Sequence, residues 1–172
     1  DTIVTDGWLG GLVESIERAP NTGIAGPCTN PRLETGNFFP VKEGFRNIRE
    51  IPRTAAAIWA KRAGCVDYVP GITSFCMSIK KDLLDKIGLF DENYGFGTND
   101  DHDLCLRACE AGFRIVCAMY IFVFHFYSKT LSGLNMEDLD RFNRDYFVSK
   151  FGDRALKYFE DIGQPYQTKD LA

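Results

Sequence analysis

The sequence lacks the features of a nucleic-acid-binding or membrane-spanning protein. Its formal net charge is −4, and its basic residues occur in no run longer than a pair such as Lys80-Lys81. Because nucleic-acid binding needs clustered Lys and Arg, we expect no nucleic-acid partner. The longest apolar run lies within 115–126 and is shorter than the ~20 residues of a membrane helix. No signal-peptide pattern opens the sequence, so we expect a cytoplasmic location, with membrane association through flanking regions left open.

The sequence also lacks a C-x-x-C pair, which weakens the case for a zinc or redox site. It nevertheless contains six cysteines, an even number that is compatible with disulfides. Several of them lie in apolar strand-like runs or in a predicted helix, which favours buried, reduced thiols over disulfides. The cysteines are Cys28, Cys65, Cys76, Cys105, Cys109 and Cys117.

The chain length of 172 residues and the 45% hydrophobic content fit a single globular domain over 1–172 with its own core. Helical periodicity alternates with short apolar runs, which predicts an α/β fold with a mixed sheet flanked by helices. The stretch between Cys28 and Ile48 has no periodicity, and loops of this length are usually functional or mobile. Helices are predicted at 6–18 with Asp6 as the cap, at 52–62 and 80–87, at 98–110 closed by Gly112, and in a C-terminal segment at 135–162 capped by Asn135 with Asp138. Strands are predicted at 22–25, 66–69, 72–79, 114–120 and 121–126.

The densest group of reactive side chains is Asp100-Asp101-His102-Asp103, called the acidic run below. Acids at a helix N-terminus are stabilised by the helix dipole by ~0.3–1 kcal/mol each, and Asp103 can pair with Arg107 one turn later. Helix capping, together with a surface ion pair, therefore explains the acidic run just as well as a reactive site does. Crowded carboxylates also raise at least one pKa unless a cation neutralises them, and such a carboxylate can act as a general base.

His125 is one of only two histidines in the chain, and it ends an apolar run that starts at Tyr120. A histidine at the end of a strand is more often structural than functional. A polar turn follows it, however, and neutral imidazole is a common ligand of divalent metals. Both interpretations stay open on the residues alone.

Several segments carry motifs in a definite order along the chain. Asp1 precedes Gly7-Trp8-Leu9, and the acidic run continues as Leu-Cys-Leu-Arg107. Further motif segments lie at 24–30, 71–92, 111–115 and 125–130. Their order resembles the family-2 glycosyltransferases of the GT-A type. In that family an Asp-x-Asp motif ends a strand, and a Glu-Asp-x-Asp-Leu-Cys-Leu-Arg block opens a helix. The motifs span residues 1–130.

This resemblance implies the C-terminal, acceptor-side part of a GT-A fold, with the nucleotide-binding half before Asp1 missing. It implies an inverting enzyme that transfers a sugar from a nucleotide-diphosphate donor to a hydroxyl of a glycan, lipid-linked or protein acceptor. Specificity would lie in variable loops such as the one between Cys28 and Ile48. Without the missing half we expect weak donor binding, no activity of this chain alone, and self-association through an exposed sheet edge.

The resemblance also assigns roles to individual residues. Asp101 would be the general base that deprotonates the acceptor hydroxyl. Asp1 would hold the Mg²⁺ or Mn²⁺ that neutralises the departing diphosphate, and His125 would be a second metal or diphosphate contact. Trp8 and the turn from Gly71 to Phe75, which includes Thr73 and Ser74, would lie near the donor sugar or the acceptor.

Three further acidic and basic residues would support the base. Asp103 and Arg107 would orient Asp101 within the motif. Asp100 stands where the family has Glu, which keeps the charge and shortens the side chain, so the acceptor geometry differs from that of the family.

Two other function classes are compatible with the acids. One is a non-enzymatic carbohydrate- or Ca²⁺-binding module, although the spacing from Asp91 to Asp103 does not match an EF-hand loop. The other is a hydrolase in which Asp101 works with a second carboxylate such as Asp91. Hydrolases of this kind need two carboxyl groups at a defined separation, which sequence spacing does not determine.

Overall fold

The computed structural model describes residues 1–30, 47–126, 133 and 135–163. Most of the loop between Cys28 and Ile48, and Ser128 and Thr130 of the last motif, lie outside the described residues. The helices are α1 (Trp8–Arg18), α2 (Ile51–Arg62), α3 (Lys81–Ile87), α4 (Asp100–Glu110), α5 (Met136–Phe151) and α6 (Asp153–Gly163). The strands are β1 (Thr2–Ile3), β2 (Thr22–Cys28), β3 (Val66–Val69), β4 (Ser78–Ile79), β5 (Arg114–Phe122) and β6 (Phe124–His125).

A mixed four-stranded sheet in the order β3-β5-β2-β4 forms the centre of the fold. Strands β2 and β5 run parallel, with Ala25 opposite Val116, whereas β3 and β4 run antiparallel to their neighbours. A parallel pair needs a long crossover, and the helices between β2 and β5 lie on that connection. Strands β1 and β6 form a separate antiparallel sheet with Thr2 opposite His125. The predicted α/β class with a mixed sheet is confirmed.

Strand β5 lies at the centre of the core because helices cover both of its faces. Every residue after the first is buried, and successive side chains point to opposite faces. Ile115 and Cys117 pack against side chains of α3, α4, α5 and α6. Val116 and Ala118 pack on the other face, against α1. Helix α2 packs against Phe122 at the end of the strand.

The strand predicted at 72–79 is wrong except at Ser78–Ile79, which pair with β2. The preceding residues form an irregular loop, because the Ser74 N–H donates to a side chain instead of to a neighbouring strand. The strands predicted at 114–120 and 121–126 are instead one long strand and the short β6. A strand that is buried on both faces has no alternation by which its end can be recognised.

The C-terminal helix prediction is correct at its start and wrong in its continuity. The Asn135 side chain accepts a hydrogen bond from the Asp138 N–H, so the predicted cap is confirmed. Gly152, with a φ of 59°, ends α5 and separates it from α6. The cap predicted at Asp6 is wrong, since α1 follows Gly7 (φ 75°) without a side-chain capping bond.

The six cysteines are free thiols, as predicted, but not all are buried: Cys28, Cys105 and Cys117 are buried, Cys65 and Cys76 are half-buried, and Cys109 is exposed. The Cys28 and Cys117 sulfur atoms lie 3.6 Å apart, well beyond the ~2.05 Å of a disulfide bond. Burial raises the pKa of the Cys76 thiol to about 11.

Among the described helices, none has the length and apolar character needed to cross a membrane.

Candidate active site

The acidic run forms the first turn of α4, and its Asp101 carboxylate is held on both oxygens. Asp101 Oδ2 accepts a hydrogen bond from the Ser74 backbone N–H at 3.0 Å. Asp101 Oδ1 accepts one from the His102 backbone N–H at 2.9 Å. The residue is 8% exposed. Each carboxylate oxygen keeps a lone pair that could accept a hydroxyl proton, which is one condition for a general base.

Asp100 shows the crowding effect that the sequence predicts. Burial of this carboxyl, together with the neighbouring Asp101 charge, raises its pKa. Both causes disfavour the charged form. The predicted rise of at least one pKa in the acidic run is therefore confirmed at Asp100, with burial as the larger cause and the Asp101 charge as the second.

Asp103 lies in a buried network and not in the surface ion pair that simple capping predicts. Its side chain is fully buried and accepts from Arg107 Nε at 2.5 Å, so the predicted i,i+4 pair is confirmed. Lys150 Nζ, at 2.6 Å, and the Tyr94 hydroxyl, at 3.1 Å, donate to its other oxygen. These bonds tie helix α4 to α5 and to the turn that carries Tyr94, and none of the described bonds of Asp103 or Arg107 goes to the Asp101 side chain.

Asp91 is engaged in this same network. Its carboxylate accepts from Lys150 Nζ at 2.6 Å and from the Tyr146 hydroxyl at 3.0 Å. The Lys150 hydrogen bond holds the pKa of Asp91 well below its usual range. Because Lys150 also bonds Asp103, Asp91 and Asp103 share a cation on α5, whereas Asp101 bonds the Ser74 and His102 amides.

Gly71 is buried against helix α6, and this packing explains why a glycine occurs there. A Cβ at this position would lie 1.9 Å from the Tyr158 hydroxyl oxygen. The same hydroxyl lies 3.2 Å from His102 Nδ1 in the acidic run. The structure therefore gives Gly71 a packing role next to the candidate base, beside its predicted role near the donor or acceptor.

We expect Gly71→Ala to lower the free energy of unfolding by about 1–3 kcal/mol, because the added methyl group overpacks the contact with Tyr158. Tyr158→Phe removes the clashing oxygen, so the double variant should lose less stability than the two single variants predict together. Urea unfolding of the four proteins measures this coupling. Gly10→Ala is the control, since nothing lies within 4 Å of a Cβ there. Equal effects of the two alanines would contradict the packing explanation.

Strands β1 and β6 bring together the two residues predicted to bind metal. His125 Nε2 lies 3.0 Å from Asp1 Oδ1, and both side chains are mostly buried. Asn30 holds the β6 backbone, since its Oδ1 accepts from the His125 N–H at 2.8 Å and its Nδ2 donates to the His125 carbonyl at 3.0 Å. A pairing between distant parts of the sequence is therefore fixed by backbone and side-chain bonds together.

Phe75 connects this pair to the candidate base. Its ring stacks on His125 with ring centroids 4.9 Å apart and an interplanar angle of 12°. The preceding residue, Ser74, bonds Asp101. Ser74 and Phe75 are consecutive residues with Cα atoms ~3.8 Å apart. Asp101 and His125 therefore contact adjacent positions of one loop. The sequence placed the turn from Gly71 to Phe75 near the donor or acceptor but did not predict that Phe75 stacks on His125.

No protein-family model matches the chain, and no curated protein matches it significantly. The function is therefore inferred from the geometry of the site.

The other predicted binding residues divide into two groups. Ser74 is exposed and Thr73 half-buried on the loop that contacts Asp101. Trp8 packs against the small core between α1 and β5, which includes Leu12. The loop residues are therefore next to the candidate base, whereas Trp8 contacts apolar core side chains.

Asp1 and His125 fit an ion that arrives with its substrate. The described residues contain no group of three or more His, Cys, Asp or Glu side chains that could hold a metal. Mg²⁺, however, is usually bound by one or two carboxylates together with substrate phosphates and water. An imidazole nitrogen and a carboxylate oxygen within 3.0 Å of each other can thus contribute two ligands and leave the remaining positions to a diphosphate.

Proposed function

We propose that the chain is the acceptor-side part of an inverting, metal-dependent glycosyltransferase with a GT-A fold. The observation that carries this proposal is that two consecutive loop residues, Ser74 and Phe75, contact the candidate base and the candidate metal pair. Ser74 bonds Asp101, and Phe75 stacks on His125, which lies 3.0 Å from Asp1. A candidate base therefore lies beside a candidate metal pair, the combination needed to move a sugar from a nucleoside diphosphate to a hydroxyl.

Features of the fold support the GT-A assignment. The parallel strands β2 and β5 are covered by helices on both faces, and the small β1–β6 sheet carries both candidate metal ligands. The acidic run forms the start of α4, and its Asp101 accepts a bond from Ser74 of the adjacent loop. The substrates would be a nucleotide-sugar donor and a glycan, lipid-linked or protein acceptor, and a homo-oligomer through a sheet edge stays a prediction.

In the proposed reaction Asp101 acts on the acceptor. Its carboxylate takes the hydroxyl proton while the acceptor oxygen attacks the anomeric carbon from the side opposite the diphosphate. The bond between that carbon and the diphosphate oxygen breaks, and the diphosphate leaves with the electron pair. The Ser74 and His102 amides keep the carboxylate oriented during the transfer. The anomeric configuration is inverted because attack and departure occur on opposite faces.

Asp1 and His125 would hold Mg²⁺ or Mn²⁺ close to this loop. When bound, such an ion supplies Lewis-acid stabilisation of the negative charge on the departing diphosphate. Asn30 and Phe75 keep the His125 backbone and ring in place for that role. The protein residues thus orient the ligands before any substrate arrives.

The direct test is glycosyl transfer by the protein in the full length that its gene encodes. It is incubated with Mn²⁺ and a panel of UDP- and GDP-sugars, and release of the nucleoside diphosphate is measured with and without glycan acceptors. We expect Mn²⁺-dependent release from one donor, increased by one acceptor. Absence of nucleoside diphosphate binding and of turnover with every donor would contradict the proposed function.

We expect His125→Ala to weaken Mn²⁺ binding. Since even residues behind a metal ligand are worth about 10–100-fold in metal affinity, loss of a ligand should cost about tenfold or more. Titration followed by the electron paramagnetic resonance of free Mn²⁺, in the presence of UDP, measures the affinity. His102→Ala is the matched control, because it removes the other histidine and leaves the Asp1–His125 pair intact. Equal affinities of the two variants would contradict the metal assignment.

A further inference from the structure

Asn143 is a fully buried polar residue on helix α5, and neither the capping pattern nor the resemblance assigns it a function. Four acceptors lie within hydrogen-bond distance of its side-chain nitrogen, which has two N–H groups to donate. They are the Tyr94 carbonyl at 2.9 Å, the Thr98 carbonyl at 3.1 Å, the Thr98 hydroxyl at 3.0 Å and the Gly97 carbonyl. One amide group therefore gathers several acceptors from the segment that immediately precedes α4.

That segment has an unusual backbone. Gly97, Thr98 and Asn99 have φ angles of 105°, 66° and 63°, so three successive residues lie in the left-handed region. Residues with a Cβ rarely adopt this conformation, and it persists only where the surrounding structure imposes it. Besides Asn143, helix α5 supplies a second bond, since Asn99 Nδ2 donates to Asp140 Oδ1 at 3.2 Å. Helix α5 therefore stabilises the strained segment at two points.

The strained segment determines where α4 begins. The Asn99 carbonyl accepts the Asp103 N–H at 2.9 Å, which closes the first turn of the helix. Asp101 lies inside that turn, and its carboxylate meets the Ser74 N–H at 3.0 Å only if the turn keeps its position. A change in the conformation of Thr98 would therefore move Asp101 relative to the loop that carries Ser74.

We propose that Asn143 is a positioning residue for Asp101: through the left-handed segment 97–99 it sets the first turn of α4 and aims the carboxylate at the Ser74 amide. The proposal rests on the proposed function for what Asp101 does in a reaction. The positioning itself is a property of the folded chain and is measured without any substrate. Helix α5, which lies near the C-terminus, thereby contributes to the geometry of the candidate site.

Amide NMR spectra of the chain test the positioning directly. An N–H that donates to a carboxylate resonates downfield, and Asp101→Asn defines how far the Ser74 amide proton moves when that acceptor loses its charge. We expect Asn143→Ala to move the Ser74 resonance in the same direction. Arg141→Ala on the same helix is the control, since Arg141 is exposed and bonds only Asp138 among the described contacts. A Ser74 resonance that stays in place in folded Asn143→Ala would overturn the proposal.

A second variant covers the case in which Asn143→Ala does not fold. Asp140→Ala removes only the bond to Asn99, and we expect a smaller shift of the Ser74 resonance in the same direction. Absence of that shift would equally overturn the proposal. Where transfer activity is found, Asn143→Ala should lower kcat by about tenfold to a hundredfold and leave KM within about twofold, since misplacement of a reacting group by ~1 Å costs about that much. Absence of transfer activity in the wild type would count against the proposed function and leave the NMR result valid.

Discussion

Asp101→Asn should lower the rate of glycosyl transfer by about 10²–10⁴-fold, the usual contribution of a general base. The amide keeps the size of the side chain but cannot take the acceptor proton. Its NH₂ group would also face a backbone N–H where Asp101 now accepts from Ser74 or His102. The loss should appear in kcat, while the proposed Mn²⁺ binding at Asp1 and His125 should remain, because His125 contacts Phe75, whereas Asp101 contacts Ser74.

The measurement is the initial rate of sugar transfer at saturating donor with the best acceptor. Asp85→Asn is the matched control, since it makes the same chemical change at an exposed carboxylate on α3 that pairs only with Lys81. We expect the control to transfer at the wild-type rate. A wild-type rate for Asp101→Asn would show that another group takes the proton.

Asp103→Ala should lower the free energy of unfolding by about 3–5 kcal/mol, which is typical when one partner of a buried charge pair is removed. The carboxylate is fully buried, and it is the common acceptor of Arg107, Lys150 and the Tyr94 hydroxyl. Without it, two cations remain close together, and the hydroxyl loses its acceptor. Helix α4 would lose the ties that Asp103 makes to Lys150 on α5 and to Tyr94 in the preceding turn.

Urea unfolding at neutral pH measures this loss, and Asp85→Ala provides the comparison. Asp85 also pairs with a cation one helical turn away, Lys81, but both side chains are more than half exposed. Exposed pairs of this spacing are worth about 0.3–0.5 kcal/mol. A loss below about 1 kcal/mol for Asp103→Ala would mean that the remaining network reorganises around the missing carboxylate.

Much of the local structure of this protein could be predicted from short-range patterns. Strand β3 has the predicted bounds, and α4 begins within two residues of the prediction, because acids and a closing glycine mark its ends. The Asn135 cap was predictable for the same reason, since the bond with Asp138 spans a single turn. In each case the residues that decide the structure are close together in the sequence.

The candidate site was only partly predictable. The resemblance named Asp101, Asp1 and His125, and the structure brings Asp1 and His125 together through the β1–β6 pairing. It did not lead to the contact between Phe75 and His125, because the apolar residues near Phe75 favoured a strand. Asn143 was also missed, because a lone Asn in a helix has no sequence signal that distinguishes a buried anchor from an exposed side chain.

The sequence by itself determined the α/β class, most helices and the residues whose side chains can take part in a reaction, because these depend on periodicity, capping and side-chain type. Only the tertiary structure decided how those residues are grouped. Asp103 and Asp91 became part of a buried network with Lys150, whereas Asp101 turned toward Ser74. Such grouping depends on strand order and helix packing, which bring together atoms from distant parts of the chain and are not encoded in local spacing.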